Sequence, residues 1–240
     1  MNRDQAESGV DGSVPEVPEG VAMRDVYGRL RRLILDGDLA PGSEISQIAL
    51  SQQLNCSRTP LREAMRLLEQ EGLVVSEGAY RLIRVSSLTM SDLDDLYALR
   101  VMGEGLSIWL TVPTLRTADY ETLERDLDAA TNGDLDAHRD FHRLLRGGGG
   151  SRLADQLGVL FEHAERYQRV YRDQVQDLPS KHKRAEHQAI LDACRAGDRA
   201  LARTLLVDHI ADTAMQLMTA NRYAPYALPQ AITMAKGSSE

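Results

Sequence analysis

The chain has 240 residues, 42% hydrophobic and 27% charged, with aromatics at only 5%; this length holds two modest domains or one large one, and any core rests on Leu, Ile, Val, Met and Ala. No run approaches the roughly 20 apolar residues of a membrane span, the acidic N-terminus has no apolar signal core, and two cysteines in different predicted domains, Cys56 and Cys194, argue against a disulfide framework and fit a cytoplasmic protein. The net charge of −8 is uneven, since residues 21–86 carry nine Arg against eight Asp or Glu, a net of +1, which leaves −9 for the rest; affinity for DNA follows local positive charge rather than the total, so nucleic acid is not excluded.

Residues 1–20, rich in Gly, Pro, Glu and Ser without an apolar period, read as a disordered leader. Helical spacing starts near Arg24, with Val26, Leu30, Leu33 and Ile34 on one stripe, and stops at Asp36-Gly37-Asp38 and Pro41-Gly42. A short helix over about Ser46 to Leu54 carries Ile48, Ala49 and Gln52 in its register. Asn55-Cys56-Ser57 makes a tight turn, and a third helix runs from about Arg58 to Glu71, with Ser57 as N-cap and Gly72 as its stop. Two β-like runs, Leu73–Ser76 and Arg81–Val85, flank Glu77-Gly78, which has hairpin chemistry. Three helices followed by a hairpin make a winged helix-turn-helix over residues 21–86.

From Ser91 onward the pattern is helical, with helices expected near 91–111, 117–131, 134–146, 152–175, 181–196 and 198–221 and breakers at Pro113, Asn132-Gly133, Gly147 to Gly150, Pro179 and Gly197. The fold class is mainly α: a winged helix-turn-helix, then an antiparallel bundle of about six helices over residues 91–221, then a tail, 222–240, that leaves the fold. The four-glycine run reads as a surface connection, with a flexible loop beside a pocket as the alternative.

The third predicted helix divides into two faces. Leu61, Ala64, Met65 and Leu68 fall at i, i+3, i+4 and i+7 and point inward, whereas Arg58, Arg62 and Arg66 recur every four residues on another face, with Thr59 beside the first. A helix entering the major groove needs this division, apolar side chains to seat it and guanidinium groups for guanine edges and phosphates. The competing reading is a solvated arginine stripe paired with Glu63, Glu69 and Glu71. The segments Asp25-Val26-Tyr27 to Ile34, Gly37-Asp38-Leu39-Ala40-Pro41-Gly42, Ser57-Arg58-Thr59-Pro60-Leu61-Arg62-Glu63-Ala64 and Leu68-Glu69-Gln70-Glu71-Gly72-Leu73 closely resemble the reader of the GntR family over roughly residues 24–86. The resemblance implies DNA contacts by Ser57, Arg58, Thr59 and Arg62, with the wing tip near Gly78 approaching the minor groove. Many relatives carry an arginine where this chain has Ile48, so that contact is absent or replaced, with Gln47 as a candidate.

In the second half, His138 and His142 are four apart on one predicted helix, so their rings share a face. His187 lies ten residues before Gly197 and His209 twelve after it, so an antiparallel hairpin sets them at nearly equal height. Three helices could thus bring four imidazoles to one point in a bundle core, the way bundles build metal sites. The segment Asp92-Leu93-Asp94-Asp95-Leu96-Tyr97-Ala98-Leu99-Arg100 with Glu104, Phe141-His142, and Glu186-His187-Gln188-Ala189-Ile190 with Gly197-Asp198 resemble the FCD sensor domain of FadR-type GntR regulators over about residues 91–217. Many such domains hold a metal with an Asp and three His. His142, His187 and His209 match the three His, and His138 stands at the Asp position. Asp140 points about 200° away on a helix and does not replace it.

Four imidazoles suit Zn or Ni better than Mn, Mg or Ca and leave the divalent charge uncompensated, which favours an anionic effector. Arg100, in the family's Leu-x-x-Arg position, is the candidate to fork onto an organic-acid carboxylate, the alternative being a salt bridge to Glu104 one turn on. Six helices point to the VanR-like branch. His163 and His182 match no ligand position, and Cys56 reads as core. The expected protein is a homodimeric regulator that reads a two-fold DNA operator and senses a small organic acid, with no membrane association. Two alternatives are a regulator whose helical domain only dimerises, with vestigial histidines, and a His-cluster metallohydrolase, for which no His-Glu-x-x-His or Ser/His/Asp order is present.

Overall fold

The computed structural model describes residues 19–77, 82–171 and 180–237, with side chains for all of these except 19–22, 77 and 180–182. The expected leader up to residue 18 and the wing tip at Gly78 lie outside the described residues. The described chain forms two compact units, one from the residues up to Ile34 with Gly42–Ser86, the other from Leu35–Pro41 with the residues from Ser87 onward.

The first unit holds α1 (Glu19–Leu35), α2 (Gln47–Gln53), α3 (Arg58–Gln70), β1 (Val74–Glu77) and β2 (Leu82–Val85). Val26, Leu30 and Ile34 of α1 are buried together with Leu50, Leu54, Leu61, Ala64, Met65 and Leu68, the large residues of the inward stripes. Helix α2 turns Leu50 inward and exposes Ile48, Ala49 and Gln52, so the expected register of α2 is corrected. Asn55 makes the turn between α2 and α3 with φ of 49°, a left-handed conformation that Asn tolerates. Helix α3 ends in a Schellman arrangement: Gly72 (φ 80°) donates its N–H to the Glu69 carbonyl, and Leu73 donates to that of Leu68. The antiparallel strands pair Val74 with Val85 and Glu77 with Leu82, and the backbone of Gly42, Ser43 and Ile45 bonds to the outer edge of β2.

The second unit is helical. Its elements are α4 (Met90–Thr111), α5 (Thr117–Thr131), α6 (Leu135–Leu145), α7 (Ser151–Val170), α8 (Ser180–Arg195), α9 (Arg199–Ala220) and α10 (Ala227–Lys236). The starts follow side-chain caps: Thr89 accepts from Asp92 N–H, Asp134 from Asp136 and Ala137, and Asp198 from Leu201. Helix α4 runs through the middle, packed by α7, α9 and α10, while α5 lies against α6 and α8.

Two expectations are corrected here. Residues 222–236 do not leave the fold: α10 buries Leu228, Ala231 and Ala235 against the bundle, and the buried carboxylate of Asp94 accepts from the N–H groups of Tyr226, Ala227 and Leu228 at 2.7, 2.9 and 2.8 Å. The bundle therefore has a seventh helix, and the helix count no longer points to the VanR-like branch. The signal was weak because Tyr226 and Pro229 interrupt the apolar period, and the helix is tied down by a residue 132 positions away. The glycine run is neither a bland surface link nor a loose loop. Gly147–Gly149 form a 3-10 turn flush against α4, where a Cβ on Gly148 would come within 2.4 Å of Thr111 backbone atoms. Thr111 Oγ1 accepts from the Gly148 N–H and donates to the Leu145 carbonyl, closing the seam.

Candidate functional site

The candidate DNA-reading face is α3 and the turn before it. Its buried side is Pro60, Leu61, Ala64, Met65 and Leu68, so Ser57, Arg58, Thr59, Arg62 and Arg66 are all left exposed. The glutamates do not absorb the arginine stripe. Glu71 is taken by α1, with Arg31 donating to both its oxygens at 2.8 and 3.0 Å and Tyr27 donating at 2.7 Å. Arg66 lies 3.3 Å from Glu63, while among the described residues Arg58 and Arg62 have no ion-pair partner. Ser57 occupies the N-cap position of α3 with no side-chain cap bond, unlike Ser46, whose hydroxyl accepts from Ala49 on α2. The free end of α3 and its uncommitted cations are the features an anionic backbone engages.

The second candidate lies inside the bundle. Helix α6 has Phe141, His142 and Leu145 buried and presents His138 beside His142. The hairpin of α8 and α9 brings His187 and His209 to ring centroids 4.3 Å apart, as the matched heights about Gly197 require. His138, His142 and His187 each offer a nitrogen within 4.8 Å of the others. His209 stands outside that triad, its ring stacked 5.6 Å from that of His142, and its Nδ1 lies 2.6 Å from Glu186 Oε2. The expected four-histidine set is thus a triad with a fourth ring alongside. Glu186 thus sits behind the His209 ring, where a carboxylate fixes the orientation of an imidazole.

Burial, with added repulsion from nearby cationic groups, lowers the His138 pKa to about 4 and that of His187 to about 2, and holds that of His142 well below its ordinary value. These rings are neutral at pH 7, the form that binds a metal. His142 Nε2 and His187 Nε2 are 3.2 Å apart, close to the roughly 3.0–3.4 Å between two nitrogens that share an ion at about 2.0–2.1 Å each. Nδ1 of His142 is buried without a hydrogen-bond partner. The donor set fits a transition-metal cation.

Arg100 faces the same interior and is 3% exposed. Both sequence readings of this residue meet here. It lines a cavity of about 30 Å³ with Tyr97, His138, His142, Phe161, Lys183 and His209, and its Nε also donates to Glu104 Oε1 at 2.8 Å. The cavity shares Gln168, Lys183 and Thr213 with a groove of about 200 Å³ that adds Leu135 and Glu165 to its walls. Sequence reasoning named Glu104 only as the alternative partner of Arg100 and gave no role to Arg146, Phe161, Lys183 or Glu186; of these four only the last had a signal, its place directly before His187. His163 is half-buried on α7, the side chain of His182 lies outside the described residues, and Cys56 is half-buried rather than core.

Models of two known families match the chain: bacterial regulatory proteins, gntR family, over residues 22–79, and the FCD domain over residues 95–212. The HTH-type transcriptional regulator YdhC of Bacillus subtilis is 33% identical over 128 residues, 50% of this chain and 57% of that protein, so the match spans a little over half of that relative. An HTH-type regulator from an unstable DNA locus of Streptomyces ambofaciens is 31% identical over 198 residues, 78% of this chain and 81% of that protein. Among solved structures, E. coli McbR/YncC matches with a TM-score of 0.66 at 20% identity, covering 82% of this chain and 98% of that one, a likeness of fold. The relatives are regulators of transcription rather than enzymes, which removes the hydrolase alternative. Among the described residues no helix is long and apolar enough to cross a membrane.

Proposed function

The chain belongs to the gntR family of bacterial DNA-binding transcription regulators, with an FCD domain behind its reader, and from that premise we propose that it is a cytoplasmic, homodimeric regulator whose operator affinity responds to an organic acid held beside a metal. Reading rests on Ser57, Arg58, Thr59, Arg62 and Arg66 of the exposed α3 face, with Gly78 at the wing tip as a further contact. Sensing rests on His138, His142, His187 and His209 as metal-holding groups and on Arg100 as the acid-binding group. The observation that carries the sensing part is that Arg100 and three of these four histidines line one small cavity. A bound cation, Zn or Ni by donor type, would supply positive charge and an open coordination position. The chain supplies orientation through Glu186 and a guanidinium fork through Arg100. At about 30 Å³ the cavity has room for about one water, so an acid enters by widening it, and the groove sharing Gln168, Lys183 and Thr213 is its entry side.

Dimerisation is supported by α4. Half of that helix is buried, yet its outer face carries Leu99, Met102, Leu106 and Leu110, respectively 60, 39, 52 and 37% exposed, spaced three to four residues apart. A stripe of this kind suits the same stripe of a second copy about a two-fold axis, and a two-fold operator needs two α3 helices. Leu106→Glu should convert a dimer to a monomer in sedimentation. A wild-type monomer at micromolar concentration contradicts the dimer.

The test of sensing is a thermal-melt and operator-shift screen of small carboxylates with Zn- or Ni-loaded and metal-stripped protein. At least one acid should raise the melting temperature and change operator affinity only when metal is present, and His187→Ala should remove both effects. An undiminished response in stripped protein or in that variant overturns the metal-linked reading.

A further inference from the structure

The bundle interior holds a charge arrangement that the site described so far does not use. Glu104 is fully buried on α4, and two guanidinium groups converge on its single carboxylate. Arg100 reaches Oε1 at 2.8 Å, and Arg146, at the C-terminal end of α6, brings Nη1 to 3.7 Å from Oε2. The second contact is not a hydrogen bond: Arg146 Nη1 and Glu104 Oε2 are both buried without a hydrogen-bond partner. Arg146 is 5% exposed. One carboxylate between two guanidiniums leaves one buried positive charge over, and buried charges call for pairing. Burial pushes both arginines down. At Arg100 the attraction of Glu104, with Tyr97 behind it, more than offsets this, whereas at Arg146 burial prevails and the group sits below its ordinary value.

The two arginines face different spaces across one ring. Phe161 has the Arg100 guanidinium 5.1 Å and the Arg146 guanidinium 4.5 Å from its centroid. It walls both the small histidine cavity and a groove of about 800 Å³ between α6 and α7. Arg146 lines that groove with Ala154, Gly158 and Val159, and a Cβ at Gly158 would meet nothing within 4 Å, so the floor next to the guanidinium is apolar and open. The other arginines of the groove are already matched: Arg139 by Asp136 and Glu165, Arg143 by Asp140. Asp155, on the α7 wall, is exposed, and Glu162 is half-buried. The arginine at the base, Arg146, has only the longer 3.7 Å contact to the carboxylate that Arg100 already engages.

We propose that Arg146 is a second acid-binding arm and that the effector is a dicarboxylate, one carboxylate at Arg100 beside the histidines and the other at Arg146, its methylene chain lying along Phe161. This rests on the acid-sensing reading above and names the ligand class for it. Monocarboxylates satisfy only the Arg100 arm and bind more weakly. Arg146 acts as a specificity determinant, since a buried guanidinium rewards a second carboxylate and remains unpaired with a ligand that lacks one.

The test is calorimetric titration of the Zn-loaded full chain with paired acids of equal length: propionate and malonate, butyrate and succinate, valerate and glutarate. At least one diacid should bind about tenfold or more tightly than its monoacid partner. Arg146→Gln should remove that advantage while leaving monoacid affinity and bound zinc unchanged, and Arg146→Lys should keep part of it. If Arg146→Gln does not fold, the wild-type comparison and the Lys variant decide. Diacids no tighter than monoacids, or equal weakening of both by Arg146→Gln, overturn the second arm and leave acid sensing standing. No response to either series from zinc-loaded protein overturns acid sensing itself, and the second arm with it.

Discussion

The two units handle polar side chains in opposite ways. In the reader, working residues lie outside: α3 buries its apolar face completely, and Arg58 and Arg62 point to solvent free of intramolecular ion pairs among the described residues. In the bundle, Arg100, Glu104, His142, Arg146 and His187 are all buried. A surface cation costs the fold almost nothing and can be removed with little structural effect, whereas a buried polar cluster is bound up with the stability of the core around it.

The sharpest way to break this comparison is Glu104→Ala. Removing the one carboxylate between two buried guanidiniums should destabilise the bundle by about 3–5 kcal/mol in denaturant unfolding, the usual cost of leaving a buried charge unpaired. A loss below 1 kcal/mol would show that water already reaches the cluster.

A second measurement is the stability of metal-free protein against pH. The folded pKa of His138, about 4, lies below its unfolded value near 6.5. Its contribution is therefore complete above pH 6.5, is lost as pH falls from there toward 4, and changes no further below that. The His187 contribution goes on being lost toward pH 2. Each imidazole should steepen the acid-side loss by about 1.4 kcal/mol per pH unit within its window. His138→Gln should flatten the curve between pH 6.5 and 4, and an unchanged slope would mean that the ring is solvated when folded.

On the reader side, Arg62→Ala should weaken specific operator binding by about 1–3 kcal/mol, the range of a lost base contact, with an unchanged melting temperature. A large drop in that temperature would place Arg62 among the structural residues and undo the contrast. A small stability effect is expected for Ser57→Ala as well. With no cap bond to lose, it should change stability by less than about 0.5 kcal/mol while still weakening DNA binding. Ser46→Ala, which removes the α2 cap, should cost about 1 kcal/mol.

The same contrast explains what the sequence made legible. On α3 the period of 3.6 sorts residues into an apolar side and a side free for function, so the arginine face could be read directly. The heights of His187 and His209 followed from counting to Gly197, since a hairpin of two straight helices is nearly rigid geometry. Arg146 and Phe161 were not legible. Arg146 reads as the last residue of the 134–146 helix beside a glycine breaker, a place where an arginine is expected at the surface, and a phenylalanine in a helical run reads as core. The role of each depends on its packing against the other and on Glu104 of α4, contacts between residues far apart in sequence. The α10 helix was missed for a related reason, since its N-terminal N–H groups are held by Asp94 rather than by a capping residue of its own.

That last tie has a consequence for biosynthesis. Asp94 is translated 132 residues before Tyr226, and at about 5–20 residues per second it waits roughly 7–26 s for its N–H partners. During that interval the reader has all of its residues, while α4, the middle of the bundle, still lacks α10 over the surface that later buries Leu228 and Ala231. The nascent bundle therefore passes through a stage in which its central helix is exposed beside the ribosome. That stage, rather than the finished fold, is where a chaperone would find an apolar surface to hold and where slow synthesis of the final segment would expose the chain to aggregation.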